Sequence, residues 1–293
     1  MALTLAQIES RVDTEGRRPW WSFLRRHPLL VIGGVLLVIM ALVALAAPWI
    51  APYSPIDMKV LQRLQAPSAA HLFGTDAMGR DVFSRVLWGG RVSLIVGISV
   101  SLLATSIGVL IGMVAGFSRM ADALIMRVMD SMMAIPGILL AVALMALLRA
   151  SIETVVIAIA VPEIPRVVRL VRSVVLVIRE QPYVQAAEAI GTRFHWILLR
   201  HVLPNAVTPL IVQGTFISAS AVLFEAYLSF LGAGTPPEIP SWGNMMAEGR
   251  AVVQLAFNII LFPGIFLGLT VLSINLLGDG LRDMLDPKIA RRL

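Results

Sequence analysis

Uncharged apolar stretches alternate with short polar islands along this chain, and the alternation predicts its architecture. Leu29 to Ile50 carries no charge. A helix rises 1.5 Å per residue, so this stretch is long enough to cross a hydrocarbon core about 30 Å thick. Val92 to Phe117 predicts a second span, and its Gly97, Ser101, Ala104, Ser106, Gly108 and Gly112 would let another helix approach closely. The third takes in Leu124 to Leu148, with Pro136-Gly137 weakening its middle and with Arg127 and Asp130 spaced to pair on one face of its first turns. A fourth begins at Thr154 and soon meets Glu163, Arg166 and Arg169, so it reads as a span that continues as helix beyond the membrane. Ala206 to Phe224 is the fifth, entered through Pro204, and Leu255 to Leu277, kinked at Pro263-Gly264, is the sixth. The expected fold class is an all-α integral membrane protein with six transmembrane helices.

The islands divide the rest. Residues 1–28 form an Arg-bearing lead-in with Pro19-Trp20-Trp21 near its end, followed by the first transmembrane helix, 29–50. Pro48, Pro52 and Pro55 stop that helix and open a loop over residues 51–91. The core with five further helices runs from 92 to 281, and 282–293 is a tail. Within the core, Pro182 to Pro204 is a helix-prone polar island. Gln185 to Ile190 predicts a short helix ending at Gly191, a residue that accepts the left-handed conformation of a helix C-terminus. In the run that follows, Phe194, Ile197, Leu198 and Val202 share one face, with Arg193, His195 and Arg200 pointing mainly elsewhere. That is the form of a docking element between two spans.

Composition supports the membrane reading: 58% of the residues are hydrophobic and 14% charged, against about 25% charged in ordinary soluble domains. The net charge of +6 is carried almost entirely by arginine, only Lys59 and Lys288 being lysines, and it reads as topology, with no nucleic-acid partner implied. An even number of spans puts both termini on one side. Placing them in the cytoplasm leaves most of the 24 Lys and Arg inside, as the positive-inside rule expects, with the 51–91 loop outside. The apolar run after Pro28 reads as a retained anchor.

Candidate chemistry narrows the function by exclusion. There is no cysteine, hence no thiolate metal site, disulfide or thiol nucleophile. Neither lysine lies in a glycine-rich phosphate loop, so the chain is no P-loop ATPase by itself, and no cofactor is expected in it. The histidines never form a His-Glu-x-x-His pair, and no metal site is expected. Gly74, Thr75, Asp76, Gly79, Arg80 and Asp81 in the external loop lack the oxygen ladder of a calcium loop. They read better as a turn capping the second span, with Asp81 at its N-terminus. Glu225 follows an uncharged run and is a candidate for the translocation path, with helix packing as an equal alternative. Pro236, Pro237, Pro240 and Trp242-Gly243 make a loop too rigid for a linker and a plausible partner-facing surface.

Five blocks in order resemble one family: GTDAMGRDVFSR with GGRVSL, DALIMRVMDSMMAIPG, YVQAAEAIG to RHVLPN, LSFLGAGTPPEIPSWG, and NLLGDGLRDMLDP. The chain is similar to the inner-membrane permease subunits of ABC importers, in particular the second, C-type permease of the dipeptide/oligopeptide/nickel group. The resemblance implies a type I importer permease fold in the bacterial cytoplasmic membrane. It also implies a homologous second permease, two ABC ATPase subunits carrying ATP-Mg, and an extracytoplasmic substrate-binding protein. The family's cytoplasmic signature of Glu-Ala-Ala, three residues, Gly, nine residues, Ile, one residue and Leu-Pro falls on Gln185, Ala186, Ala187, Gly191, His201 and Leu203-Pro204. Gln185 and His201 depart from it. The resemblance makes residues 185–191 the coupling helix that enters a groove on the ATPase. Ala186, Ala187 and Gly191 would allow close approach, and Tyr183 and Ile190 would be the apolar anchors. It also makes Gly74, Thr75, Asp76, Gly79, Arg80, Asp81, Pro236, Pro237 and Trp242 candidates for contact with the binding protein. The implied activity is ATP-driven peptide import by alternating access, with nickel or glutathione-like ligands as alternatives. A stand-alone secondary transporter or channel using Glu225, Arg127 and Asp130 is the competing class.

Overall fold

The computed structural model describes residues 27–285. Among them the chain forms ten α-helices: α1 Pro28–Ile50, α2 Val82–Phe117, α3 Arg119–Met133, α4 Gly137–Leu147, α5 Ile152–Arg179, α6 Pro182–Ala189, α7 Phe194–Ile197, α8 Leu203–Phe230, α9 Trp242–Gly249 and α10 Asn258–Leu285. A 3₁₀ turn covers Val60–Gln62, another Arg250–Val252, and a π-turn at Leu198–Val202 joins α7 to α8. The lead-in, its tryptophans and the end of the tail lie outside the described residues.

Four helices are long and apolar enough to cross a membrane: Pro28–Ile50, Val82–Phe117, His195–Phe230 and Asn258–Leu285. The expected third span is two helices, α3 and α4, meeting at 89°. Pro136 lacks an N–H for the helical ladder and disfavours helix at Ile135, so the chain turns there. Pro162 and Pro165 in α5, Pro209 in α8 and Pro263 in α10 leave their helices continuous. The expected fourth span is the unbroken α5, which its charges keep below the apolarity of the other four.

Small residues on α2 decide the packing. A Cβ added to Gly108 would lie 2.5 Å from the Cβ of Val167, one on Gly112 2.7 Å from that of Val171, and one on Gly116 2.5 Å from that of Val175. Only glycine permits this approach of α2 and α5, whose Val167, Val171 and Val175 are fully buried. Higher on α2, Gly97 faces Val222 and Ser218 of α8, and Ser101 Oγ donates to the Gly214 carbonyl at 2.7 Å. The helix thus carries two small-residue faces for two partners. α1 lies against α10, where Gly33 meets Ser273 and Leu276.

One end of the bundle carries α6, and the opposite end carries residues 51–81 and α9. At this second end Trp242 fills a site beside Gly89 and Gly90, its indole N–H donating to Val86 O at 3.0 Å. Phe73 stacks on Phe262 of α10 with ring centroids 3.8 Å apart.

Candidate functional site

Two regions absorb most of the chemistry-bearing residues. The first is α6. Proline opens it, and Gly191, at φ +81°, closes it. Gly191 N–H donates to Glu188 O at 2.9 Å and Thr192 N–H to Ala187 O at 3.0 Å, the paired bonds of a Schellman ending. The expected short helix is therefore present, starting at Pro182. Val184 and Ala187 face the bundle, whereas Tyr183, Gln185, Ala186, Ile190 and Gly191 are exposed. Ile190 is 84% exposed, an apolar side chain held out at a helix terminus. Ala187 points inward, so close approach from outside falls to Ala186 and Gly191.

α6 and the segment after it border an open surface pocket of about 520 Å³ lined by Tyr183, Ala186, Ile190, Trp196, Arg200 and His201 among others. The Tyr183 and His201 rings are 5.6 Å apart. Ile197, Leu198 and Val202 are buried, with Arg193, His195 and Arg200 exposed, as the amphipathic pattern predicts. Leu203 is half-buried and Pro204 exposed, where the chain leaves the π-turn for α8. Trp196, absent from the sequence-based set, is 55% exposed on this rim; its place in an amphipathic run was the available signal.

The second region is the 51–81 loop. Asp81 caps α2, accepting from Ser84 N–H at 2.7 Å, Ser84 Oγ at 2.8 Å and His71 Nδ1 at 2.8 Å. Asp76 accepts from the N–H groups of Met78 and Arg80, from Arg80 Nε at 2.6 Å and from Arg85 Nη1. Glu248 of α9 then takes Arg80 Nη2 at 2.5 Å and Arg85 Nη1 at 2.7 Å. Gly74 and Gly79 hold the turn at positive φ.

This network buries most of the candidate binding-protein residues. Thr75, Asp76, Arg80, Asp81 and Trp242 are at most 5% exposed, and Gly74 and Gly79 are buried. Their functional groups point inward, onto the loop's own backbone and α9. Asn244 fastens the proline loop to α9, its Nδ2 lying 3.1 Å from Thr235 O and 3.2 Å from Pro236 O. At the surface of these stretches stand Leu72, Met78 and Pro237, with Pro236 half-buried.

Glu225 is fully buried within α8, which runs past the expected span end to Phe230. Ser229 Oγ donates to its Oε1 at 2.9 Å, and the hydroxyls of Ser93 and Ser241 face the same carboxyl group. It lines none of the three cavities named among the described residues, and its Oε2 is buried there without a hydrogen-bond partner. Arg127 and Asp130 do not pair with each other. Asp130 instead bonds Arg169 of α5 at 2.6 Å, and Asp122 bonds Arg172.

The described residues thus form a multi-helix bundle with four helices long and apolar enough to cross a membrane and an exposed, sharply capped helix at one end. The comparisons give the family. The chain belongs to the binding-protein-dependent transport system inner membrane components, which match residues 108–291, and residues 18–67 match the N-terminal transmembrane domain of oligopeptide transport permease C. It is 52% identical to a probable peptide ABC transporter permease of Sinorhizobium fredii over 92% of each chain. It is 42% identical to a dipeptide transport system permease of Alkalihalophilus pseudofirmus, over 92% of this chain and 90% of that one. Identity to a glutathione transport system permease of Pectobacterium atrosepticum is 40%, over 99% and 97%.

Proposed function

We propose that this chain is the C-type permease of an ATP-driven importer of short peptides. It pairs with a homologous permease, is driven by two cytoplasmic ATPase subunits carrying ATP-Mg and is supplied by an extracytoplasmic binding protein. The observation that carries the reading is the exposed, glycine-terminated α6 with Ile190 and Tyr183 presented outward, in a chain of this family. In this reading α3–α4 is a bent span and α5 a charged one, and the arginine distribution supports both termini and α6 on the cytoplasmic side with the 51–81 loop and α9 outside. Names of peptide, dipeptide and glutathione permeases among the relatives favour peptide-like cargo over nickel.

The mechanism of this reading is alternating access, with α6 joined to α8 through the Gly191 turn, α7 and the π-turn. Closure of the ATPases displaces α6, and the spans rock against the second permease. Ligand shifts this equilibrium only through its different affinity for the two states. The binding protein meets surfaces such as Met78 and Pro237, and the buried Asp76–Arg80 network holds those surfaces in place.

The test is reconstitution with two ABC ATPase subunits, a second permease and a binding protein of the same transport system. Ile190→Asp should insert and assemble the spans normally but lose ATPase capture and uptake of labelled dialanine. Uptake driven by an ion gradient by this chain alone would establish the secondary-transporter reading instead.

A further inference from the structure

Pro182 decides where α5 and α6 part. A proline disfavours the helical conformation at the residue before it, and Gln181 is extended, at φ −75° and ψ 139°. α5 therefore ends at Arg179, and α6 begins afresh at Pro182. Hydrogen bonds brace this corner on both sides. Gln181 N–H donates to Ile178 O at 3.0 Å, and Gln181 O accepts from Val184 N–H at 3.0 Å and from Gln185 N–H at 3.1 Å. Ile178 before the corner and Val184 after it are buried. A displacement of α6 is thus delivered to the last turn of α5.

Last turns fray, because their carbonyls have no partner within their own helix. This one is held from outside. α5 runs parallel to α2, the close approaches stepping in register from Gly108 on Val167 to Gly116 on Val175, and the two helices end side by side at Phe117 and Arg179. There Arg179 Nη1 donates to the Phe117 carbonyl at 3.1 Å, and the guanidinium carbon lies 5.2 Å from the centroid of the Phe117 ring. Phe117 is the last residue of α2, where the helix dipole is negative, so the half-buried guanidinium is matched to it both as a donor and as a cation over an aromatic face. The other arginines of α5 meet carboxylates: Arg166 meets Glu163, Arg169 Asp130 and Arg172 Asp122. Arg179 instead joins one helix end to another.

We infer that Arg179 is a positioning residue for coupling. It ties the α6 end of α5 to the end of α2, so that a displacement of α6 moves both helices and does not unwind the last turn of α5. The inference rests on the importer reading above.

Arg179→Met removes the donor and the charge and keeps an apolar stem. In the complete complex it should leave assembly and ATP hydrolysis near normal and lower dialanine uptake per ATP hydrolysed by about tenfold, a step of about 1.4 kcal/mol. Arg179→Lys, which retains a donor and a charge, should recover most of that loss. A purely structural role would lower hydrolysis and uptake together, in proportion to the folded complex. Uptake per ATP equal to wild type in Arg179→Met would overturn the inference. The absence of native cysteine permits a second measurement, on the full-length chain without its partners. Spin labels on Val114→Cys of α2 and Glu188→Cys of α6, both exposed positions, should give a narrow distance distribution that broadens in Arg179→Met. An unchanged distribution would overturn the tie. Should Arg179→Met fail to insert, the same two readouts on Arg179→Gln decide it. If the unaltered complex imports no dialanine, the peptide-import reading fails, and the spin-label distances still judge the tie.

Discussion

Arg85 Nη1 lies 2.7 Å from Glu248 Oε2, joining the first turns of α2 to α9 across 163 positions of sequence. With Asp76 on the same guanidinium, this pair explains why a loop rich in charge is also rigid. The Arg85 side chain is 1% exposed, and that of Glu248 is 24%. Removing one partner of a buried pair costs about 3–5 kcal/mol, because the other charge stays behind uncompensated. Asp76→Ala should therefore lower the thermal unfolding midpoint of the purified permease strongly, and Glu248→Ala noticeably less. Equal effects would contradict the division of roles between the two carboxylates.

Helical glycines should divide by what surrounds them. Gly116→Leu drives a side chain into Val175 and should destabilise by about 1–3 kcal/mol, as overpacked cores do. Gly268 on α10 has nothing within 4 Å of an added Cβ, so Gly268→Ala should be neutral or stabilising by up to about 1 kcal/mol. Thermal scans of the two variants side by side decide it.

At Gly191 space is not the issue, since an added Cβ meets nothing within 4 Å; the φ of +81° is. A β-branched residue there costs about 1–2 kcal/mol, whereas asparagine visits this region more readily. Gly191→Val should uncouple ATP hydrolysis from uptake, and Gly191→Asn should retain most coupling, with membrane insertion intact in both. Equal coupling in the two variants would mean that the Schellman ending is dispensable.

Glu225 provides a fourth case. If it serves packing, accepting from Ser229, it should tolerate Glu225→Gln with uptake close to wild type, while Glu225→Leu leaves the Ser229 hydroxyl without its acceptor and destabilises by about 1–3 kcal/mol. Loss of uptake in Glu225→Gln with unchanged stability would return the carboxylate to the passage.

Much of the helical layout was legible because long apolar runs and proline breaks are local signals. The α6 ending at Gly191 and the capping role of Asp81 were readable from residue type and position. The right-angle break at Pro136 was only half visible, as proline alone does not distinguish a kink from two helices: Pro136 separates α3 from α4, yet α5 absorbs Pro162 and Pro165. The pairing of Asp130 with Arg169 was hidden, because the near neighbour Arg127 satisfies the helical spacing equally well and only the fold brings α5 alongside. Burial of Arg80 and Trp242 was hidden for the same reason, since their partners Glu248 and Val86 are distant in sequence.

Gly108, Gly112 and Gly116 lock α2 to α5 along a shared seam with no room for a side chain to ride over its neighbour. Such a seam resists shear as well as separation. The two helices are thereby braced as one beam, and the α2–α8 contact beside it adds a second small-residue fit, Gly97 on Ser218 and Val222, with Ser101 donating to a carbonyl of α8.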